Sequence, residues 1–289
     1  MPYTTLISVL QLAGMLHDPA LVVMDCRFSL AAVPEGGPDA GRRQYRHGHI
    51  PGARYAHLED DLSDMRVRGA GRHPWPDAAA FAQWLGAAGI GTDTQVVAYD
   101  AGDGAFAARL WCLLQLFGHR AVAVLDGGFA AWTAAGQPVE SGDGPPPNAD
   151  ASAYPGQFDH RRIVDADGVR AALQRGDVLL DARAAERFRG SVEPIDAVAG
   201  HVPGAVNRPY SLNLADGRFR SADELEAAFS TLLAGRQPQH AIVMCGSGVT
   251  ACHHLLAMAH AGLEGAKLYK GSWSGWISDP TRPVDTGTD

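Results

Sequence analysis

Cysteine is scarce: the chain of 289 residues holds only four. Cys26, Cys112, Cys245 and Cys252 are too few and too scattered for a disulfide framework or a paired CxxC zinc site. Positive charge is also short, with 24 Lys and Arg against 32 Asp and Glu and a formal net charge of −8. That balance argues against a nucleic-acid partner, whose phosphates call for clustered basic groups. No apolar run approaches the roughly 20 residues that span a bilayer, so no membrane partner is expected. The first residues, MPYTTLISVLQLAGMLHDPA, lack a basic n-region and a small-residue cleavage site and read as mature protein. A cytoplasmic, reducing setting is expected. No GxGxxG or Walker pattern accompanies Gly127-Gly128, so no phosphate-bearing cofactor is expected. What the chain does have is 46% hydrophobic against 19% charged residues, the balance of a globular protein with room for two cores.

The sequence repeats itself. LVVMDCR (21–27) recurs as DVLLDAR (177–183), and RHGHIPGA (46–53) as VAGHVPGA (198–205). QVVAYDAGDGAFAA (95–108) recurs as HAIVMCGSGVTACH (240–253), and VLDGGFAAW (124–132) as LYKGSWSGW (268–276). Four matches in one order make the chain two copies of one domain. Between them GQPVESGDGPPPNADASAYPGQ (136–157) is rich in Pro, Gly and small polar residues and reads as extended linker. The expected organisation is a first domain over 1–142, a linker over 143–157 and a second domain over 158–289. Residues 178–180, Ala241–Met244 and the start of Lys267–Tyr269 read as short buried strands. Ser221 and Glu224 form a capping box opening a helix that ends near Gly235, and Thr250–His260 suits another helix closed by Gly262. Strands alternating with helices predict an α/β fold, a mainly parallel sheet flanked by helices in each copy.

The chemistry is expected in AIVMCGSGVTACHHLLAMA (241–259), where a strand runs into Cys245, a small-residue loop follows, and a helix begins. Open α/β sheets place sites at the carboxyl ends of their strands. Gly246 and Gly248 allow a tight turn whose N–H groups, with Val249 and Thr250 at the helix start, can face one anion. A thiolate or persulfide on Cys245 is favoured there, which makes the cysteine nucleophilic. The alternative is a buried, inert cysteine at a strand end.

CGSGVTA resembles the active-site loop of the 3-mercaptopyruvate sulfurtransferase branch of the tandem-domain rhodanese family. The GHIPGA and GHVPGA segments, the DAR strand end and GSWSGW are similar to that family's motifs across nearly the whole chain. The resemblance implies two rhodanese-like domains, of which the second is catalytic; Asp100 stands where the first would carry a cysteine. It further implies that Cys245 takes sulfur from a donor and passes it, as a persulfide, to cyanide, a small thiol or thioredoxin. Ser247 would bond the donor and assist proton transfer, and His49 with Asp39 matches the family's His–Asp pair. No metal or cofactor is implied.

Arg187 matches one of two arginines that would bind the donor's carboxylate. The second is expected soon after Glu193-Pro194, but Ile195 and Asp196 follow instead. Arg208, Arg42 and Arg43 are the candidate substitutes, while Arg183 reads as a structural partner for an acid. Thiosulfate-specific relatives carry a charged loop resembling CRKGVT, so the neutral loop here favours 3-mercaptopyruvate, with thiosulfate as the alternative donor. A cysteine phosphatase would need Arg where Ala251 stands. A non-enzymatic persulfide relay or binding module is the alternative of another class. Cys252-His253-His254 reads as packing, since neighbouring helix positions diverge and no second ligand pair has zinc-like spacing.

Overall fold

A computed structural model describes residues 1–29, 37, 39–148 and 151–287. The chain divides into two compact units: residues 1–63 with 76–158, and residues 64–75 with 159–289. This division departs from the expected one at two places. Residues 143–157 are not a free linker but largely pack on the first unit, with Asn148 and Tyr154 N–H groups donating to Ala87 and Ala82 carbonyls at 2.8 and 2.9 Å. Residues 64–75, which lie within the first copy in sequence, belong to the second unit. Their ends are tied by Asp64 N–H to the Pro74 carbonyl at 3.1 Å.

In the first unit the order is β1 (Leu6–Ile7), α1 (Val9–Ala13), β2 (Leu21–Asp25), α2 (Ala40–His47), β3 (Arg54–Tyr55) and α3 (Ala78–Ala87). It continues as β4 (Gln95–Tyr99), α4 (Ala107–Leu116), β5 (Val122–Leu125) and α5 (Gly128–Ala134). The sheet order is β1-β5-β4-β2-β3 and every pairing is parallel. Parallel strands need crossover helices that cover the faces, hence the buried run of QVVAY in β4. Val23, Val97, Ala123, Leu125, Tyr45 and Trp132 fill the core between sheet and helices.

The second unit has β6 (Ile163–Val164), α6 (Ala166–Gln174), β7 (Val178–Asp181), α7 (Ala185–Phe188), β8 (Ala205–Asn207), β9 (Leu214–Ala215) and β10 (Arg218–Phe219). It then runs through α8 (Ala222–Leu233), β11 (Ala241–Met244), α9 (Thr250–His260), β12 (Lys267–Tyr269) and α10 (Ser272–Trp276). Its main sheet, β6-β12-β11-β7-β8, is parallel throughout and repeats the first unit strand for strand; β9 and β10 form a small antiparallel pair. The Ser221–Glu224 box opens α8, with Glu224 N–H on Ser221 Oγ at 3.3 Å and Ser221 N–H on Glu224 Oε2 at 3.0 Å. Leu179, Ile242, Met244, Trp273 and Trp276 make the core.

Each copy is held by the same ion pair at its second strand. Arg27 clasps Asp25 and donates to the Gly48 carbonyl at 2.6 Å; Arg183 clasps Asp181 and donates to the Gly200 carbonyl at 2.8 Å. Arg183 is therefore the structural partner of an acid, as expected. Among the described residues, no helix is long and apolar enough to cross a membrane.

Candidate active site

β11 is central in its sheet, and its carboxyl end delivers Cys245 into the turn before α9. The turn is anchored from the next crossover. Cys245 N–H donates to Ser272 Oγ at 3.1 Å, while the Trp273 and Ser274 N–H groups donate to the Cys245 and Gly246 carbonyls at 2.9 Å. Gly248, with φ of +80°, takes a left-handed conformation that its lack of a Cβ permits, and its N–H points back at Cys245 Sγ, 3.2 Å away. Val249 precedes α9 without a side-chain cap, and Thr250 opens the helix, leaving the positive end of its dipole beside the sulfur.

The first copy shows what this turn holds when no thiol is present. Asp100 occupies the equivalent strand end, and its carboxylate accepts from the N–H groups of Gly102, Gly104, Phe106 and Ala107 at 2.9–3.2 Å. Complete burial, with Asp103 nearby, outweighs those bonds and pushes its pKa up to about 6. The backbone of this motif is thus an anion nest in both copies, filled by a carboxylate in one and facing a cysteine in the other.

Two residues from the 64–75 segment complete the turn in the second unit. Ser247 Oγ lies 2.8 Å from His73 Nδ1, with both side chains buried. The imidazole at Ser247 is therefore His73 and not the expected His49. His49 sits in the first unit, where its Nδ1 bonds the Tyr45 carbonyl at 2.9 Å, its ring stacks on Tyr45, and its Nε2 faces Glu140 at 3.9 Å. Its repeat counterpart His201 does the same, bonding the Phe188 carbonyl at 2.8 Å and stacking on Phe188. Nor does Asp39 join His49: it precedes α2, exposed, 4.0 Å from Arg42.

Arg72, preceding His73, is the second. A Cβ built on Gly246 would lie 2.9 Å from Arg72 Nη2 and 3.4 Å from Arg187 Nη1, so any larger residue there would displace the Arg72 guanidinium. Arg187 also bonds Glu193 at 2.7 Å and Asp196 at 3.0 Å, and Asp196 in turn pairs with Arg72. Burial raises the Glu193 pKa, but Arg187 and the N–H groups of Asp196 and Ile195 outweigh it and hold the carboxyl below its ordinary range. The other arginines expected near the donor are engaged elsewhere. Arg208 donates to Asn213 at 2.9 Å and lies over Phe229, while Arg42 and Arg43 stand on α2 of the first unit, Arg42 facing Asp60 at 3.6 Å. Cys252 donates to the Gly248 carbonyl, and His253 and His254 both meet Asn213; burial drives the His254 pKa down to about 3.

The model of the rhodanese-like domain matches this chain twice, over residues 8–135 and 165–279. The chain belongs to the rhodanese-like family. A probable 3-mercaptopyruvate sulfurtransferase of Pseudomonas aeruginosa is 50% identical over 290 residues, with 98% of each chain covered. A putative thiosulfate sulfurtransferase of Mycobacterium tuberculosis is 42% identical over 294 residues, covering 98% of this chain and 97% of that one. Among solved structures, the Escherichia coli 3-mercaptopyruvate sulfurtransferase SseA matches with a TM-score of 0.79 and 32% identity, over 94% of this chain and all of that one. The two rhodanese-like copies are those read from the repeats, and relatives named for either donor resemble both.

Proposed function

We propose that the protein is a sulfurtransferase that takes sulfur from 3-mercaptopyruvate through a persulfide on Cys245. The Cys245 thiolate attacks the donor's thiol sulfur, the C–S bond breaks, and its electron pair leaves as the enolate of pyruvate. The donor's thiol proton stays on the new persulfide. The enolate then takes one proton from Ser247 Oγ, which His73 replaces. An acceptor nucleophile (cyanide, a small thiol or thioredoxin) attacks the outer sulfur, which releases its proton to solvent, and the S–S bond electrons return to Cys245 as thiolate. The Gly248 N–H and the start of α9 stabilise the anion at each stage.

The Ser247–His73 bond at 2.8 Å supports this donor above thiosulfate. Sulfite leaves thiosulfate as a stable anion and needs no proton, whereas an enolate becomes pyruvate only when protonated. A hydroxyl backed by an imidazole has work to do in the first chemistry and none in the second. The loop also offers Gly246 and Ser247 where basic side chains would suit a dianion. The four cysteines are free thiols, in keeping with a reducing cytoplasm.

Steady-state transfer to cyanide with each donor tests the reading. The expected result is a higher kcat/KM for 3-mercaptopyruvate, and no persulfide by mass spectrometry in Cys245→Ser. A preference for thiosulfate would overturn the donor, and sulfur transfer by Cys245→Ser would overturn the nucleophile.

A further inference from the structure

The two copies differ at a second place, away from the Cys245 turn. Within the repeat 124–132 and 268–276, Leu125-Asp126 corresponds to Tyr269-Lys270, and Ala131 to Gly275. The residue that caps the first helix is Ser8 in one copy and Asp165 in the other. Where the first copy has an apolar side chain, an acid, a methyl group and a hydroxyl, the second has a phenol, a base, no side chain and a carboxylate. These four positions lie together. Asp165, Tyr269, Lys270 and Gly275, with Arg282, line a space of about 140 Å³ at the carboxyl ends of β6 and β12. None of its described lining residues takes part in the sulfur transfer.

Several polar groups around this space have hydrogen-bonding capacity to offer a ligand. Tyr269 is only 2% exposed, and its hydroxyl makes no hydrogen bond among the described residues. Burial pushes its pKa up, Arg282 lowers it and Asp165 raises it, so the phenol remains a donor. A buried hydroxyl is unfavourable until something accepts its hydrogen bond. The Lys270 ammonium makes no ion pair among the described residues. Arg282 donates through Nη1 to the Gly275 and Trp276 carbonyls at 2.7 and 3.1 Å, and its Nε faces Asp279 at 3.6 Å. Its Nη2 makes no hydrogen bond among the described residues. Asp165 accepts the Gly168 N–H through Oδ1 at 2.8 Å, and its Oδ2 accepts none among them.

Both signs of charge therefore border one small space. A bare oxoanion would meet Lys270 and Arg282 but also Asp165, and a bare ammonium would meet the reverse. A molecule carrying both charges complements both sides. We infer that this space binds a small α-amino acid, its carboxylate held by the Tyr269 hydroxyl, Lys270 and Arg282 and its ammonium by Asp165. At about 30 Å³ for each water, the space has the bulk of about four or five, which confines the ligand to side chains the size of alanine or serine. The site borders the loop that anchors the nucleophile. Ser272, next to the lining residue Gly271, accepts the Cys245 N–H at 3.1 Å and donates to the Tyr269 carbonyl at 3.0 Å.

Saturation-transfer NMR on the full chain compares L-alanine with its two halves, propionate without the ammonium and ethylamine without the carboxylate. L-Alanine should bind saturably, and each half at least about tenfold more weakly, the loss of one charged contact. Tyr269→Phe keeps the buried ring and should weaken L-alanine by about tenfold. Asp165→Asn keeps a residue able to cap α6, and should weaken L-alanine by about tenfold while leaving propionate unchanged. Both variants should retain wild-type sulfur transfer to cyanide, which separates loss of the site from loss of the fold. Lys270→Met decides the matter if either fails to fold. Propionate binding as tightly as L-alanine would overturn the amino acid. No saturable binding of L-alanine, or binding that survives these substitutions, would overturn the site.

Discussion

If Ser247 and His73 are one device, breaking either should cost as much as breaking both. The bond between them is 2.8 Å and buried, so the imidazole is placed to restore the proton that the Ser247 hydroxyl gives up. Positioned proton transfer contributes about 10²–10⁴ in rate. Ser247→Ala and His73→Asn should each slow pyruvate release in a single turnover by about 10²–10³, or roughly 3–4 kcal/mol of barrier. The double variant should fall in the same range, because the second substitution removes a residue already idle. Independent roles would multiply the losses to about 10⁴–10⁶. Stopped-flow detection of pyruvate reads the first half-reaction. Cyanide discharge of a preformed persulfide, which needs no proton delivered to carbon, should remain near wild type. Multiplied losses, or a discharge step slowed as much as pyruvate release, would refute the coupling.

Asp100 and Arg183 yield two stability predictions. With the Asp100 pKa raised from 3.8 to about 6, the native state holds a proton that the unfolded chain has lost between those values. Stability therefore falls as pH rises through this window, by about 3 kcal/mol. The difference between wild type and Asp100→Asn should follow that fall in peptide-resolved hydrogen exchange over β4 and α4, and a pH-independent difference would count against it. Arg183→Met strips the partner from the fully buried Asp181 and should cost about 3–5 kcal/mol, read as a lowered thermal midpoint; an unchanged midpoint would contradict the buried pair.

The fold was legible because duplication wrote it twice. LVVMD and VLLD, or QVVAY and AIVM, repeat because buried parallel strands accept little else. Cys245 was legible for a local reason, the strand–turn–helix order around it. The imidazole was not, since His73 stands 174 residues from Ser247 in an irregular segment without periodicity. The GHIPGA motif points to His49, yet that motif recurs at His201, and a histidine making the same contacts in the copy with Asp100 and the copy with Cys245 is a framework residue. The difference between the copies, rather than their likeness, marks chemistry. Arg72 escaped for the same reason as His73: local pattern carries no record of a segment that leaves one copy to serve the other.

That crossing has a consequence for the history of the chain. A gene for residues 159–289 alone would encode the nucleophile but neither the guanidinium over Gly246 nor the imidazole on Ser247. The first copy carries Asp100 where the second has Cys245, yet it cannot be shed, because the second depends on a loan from its interior. Once the segment 64–75 had been given over, the two copies could specialise but could no longer separate.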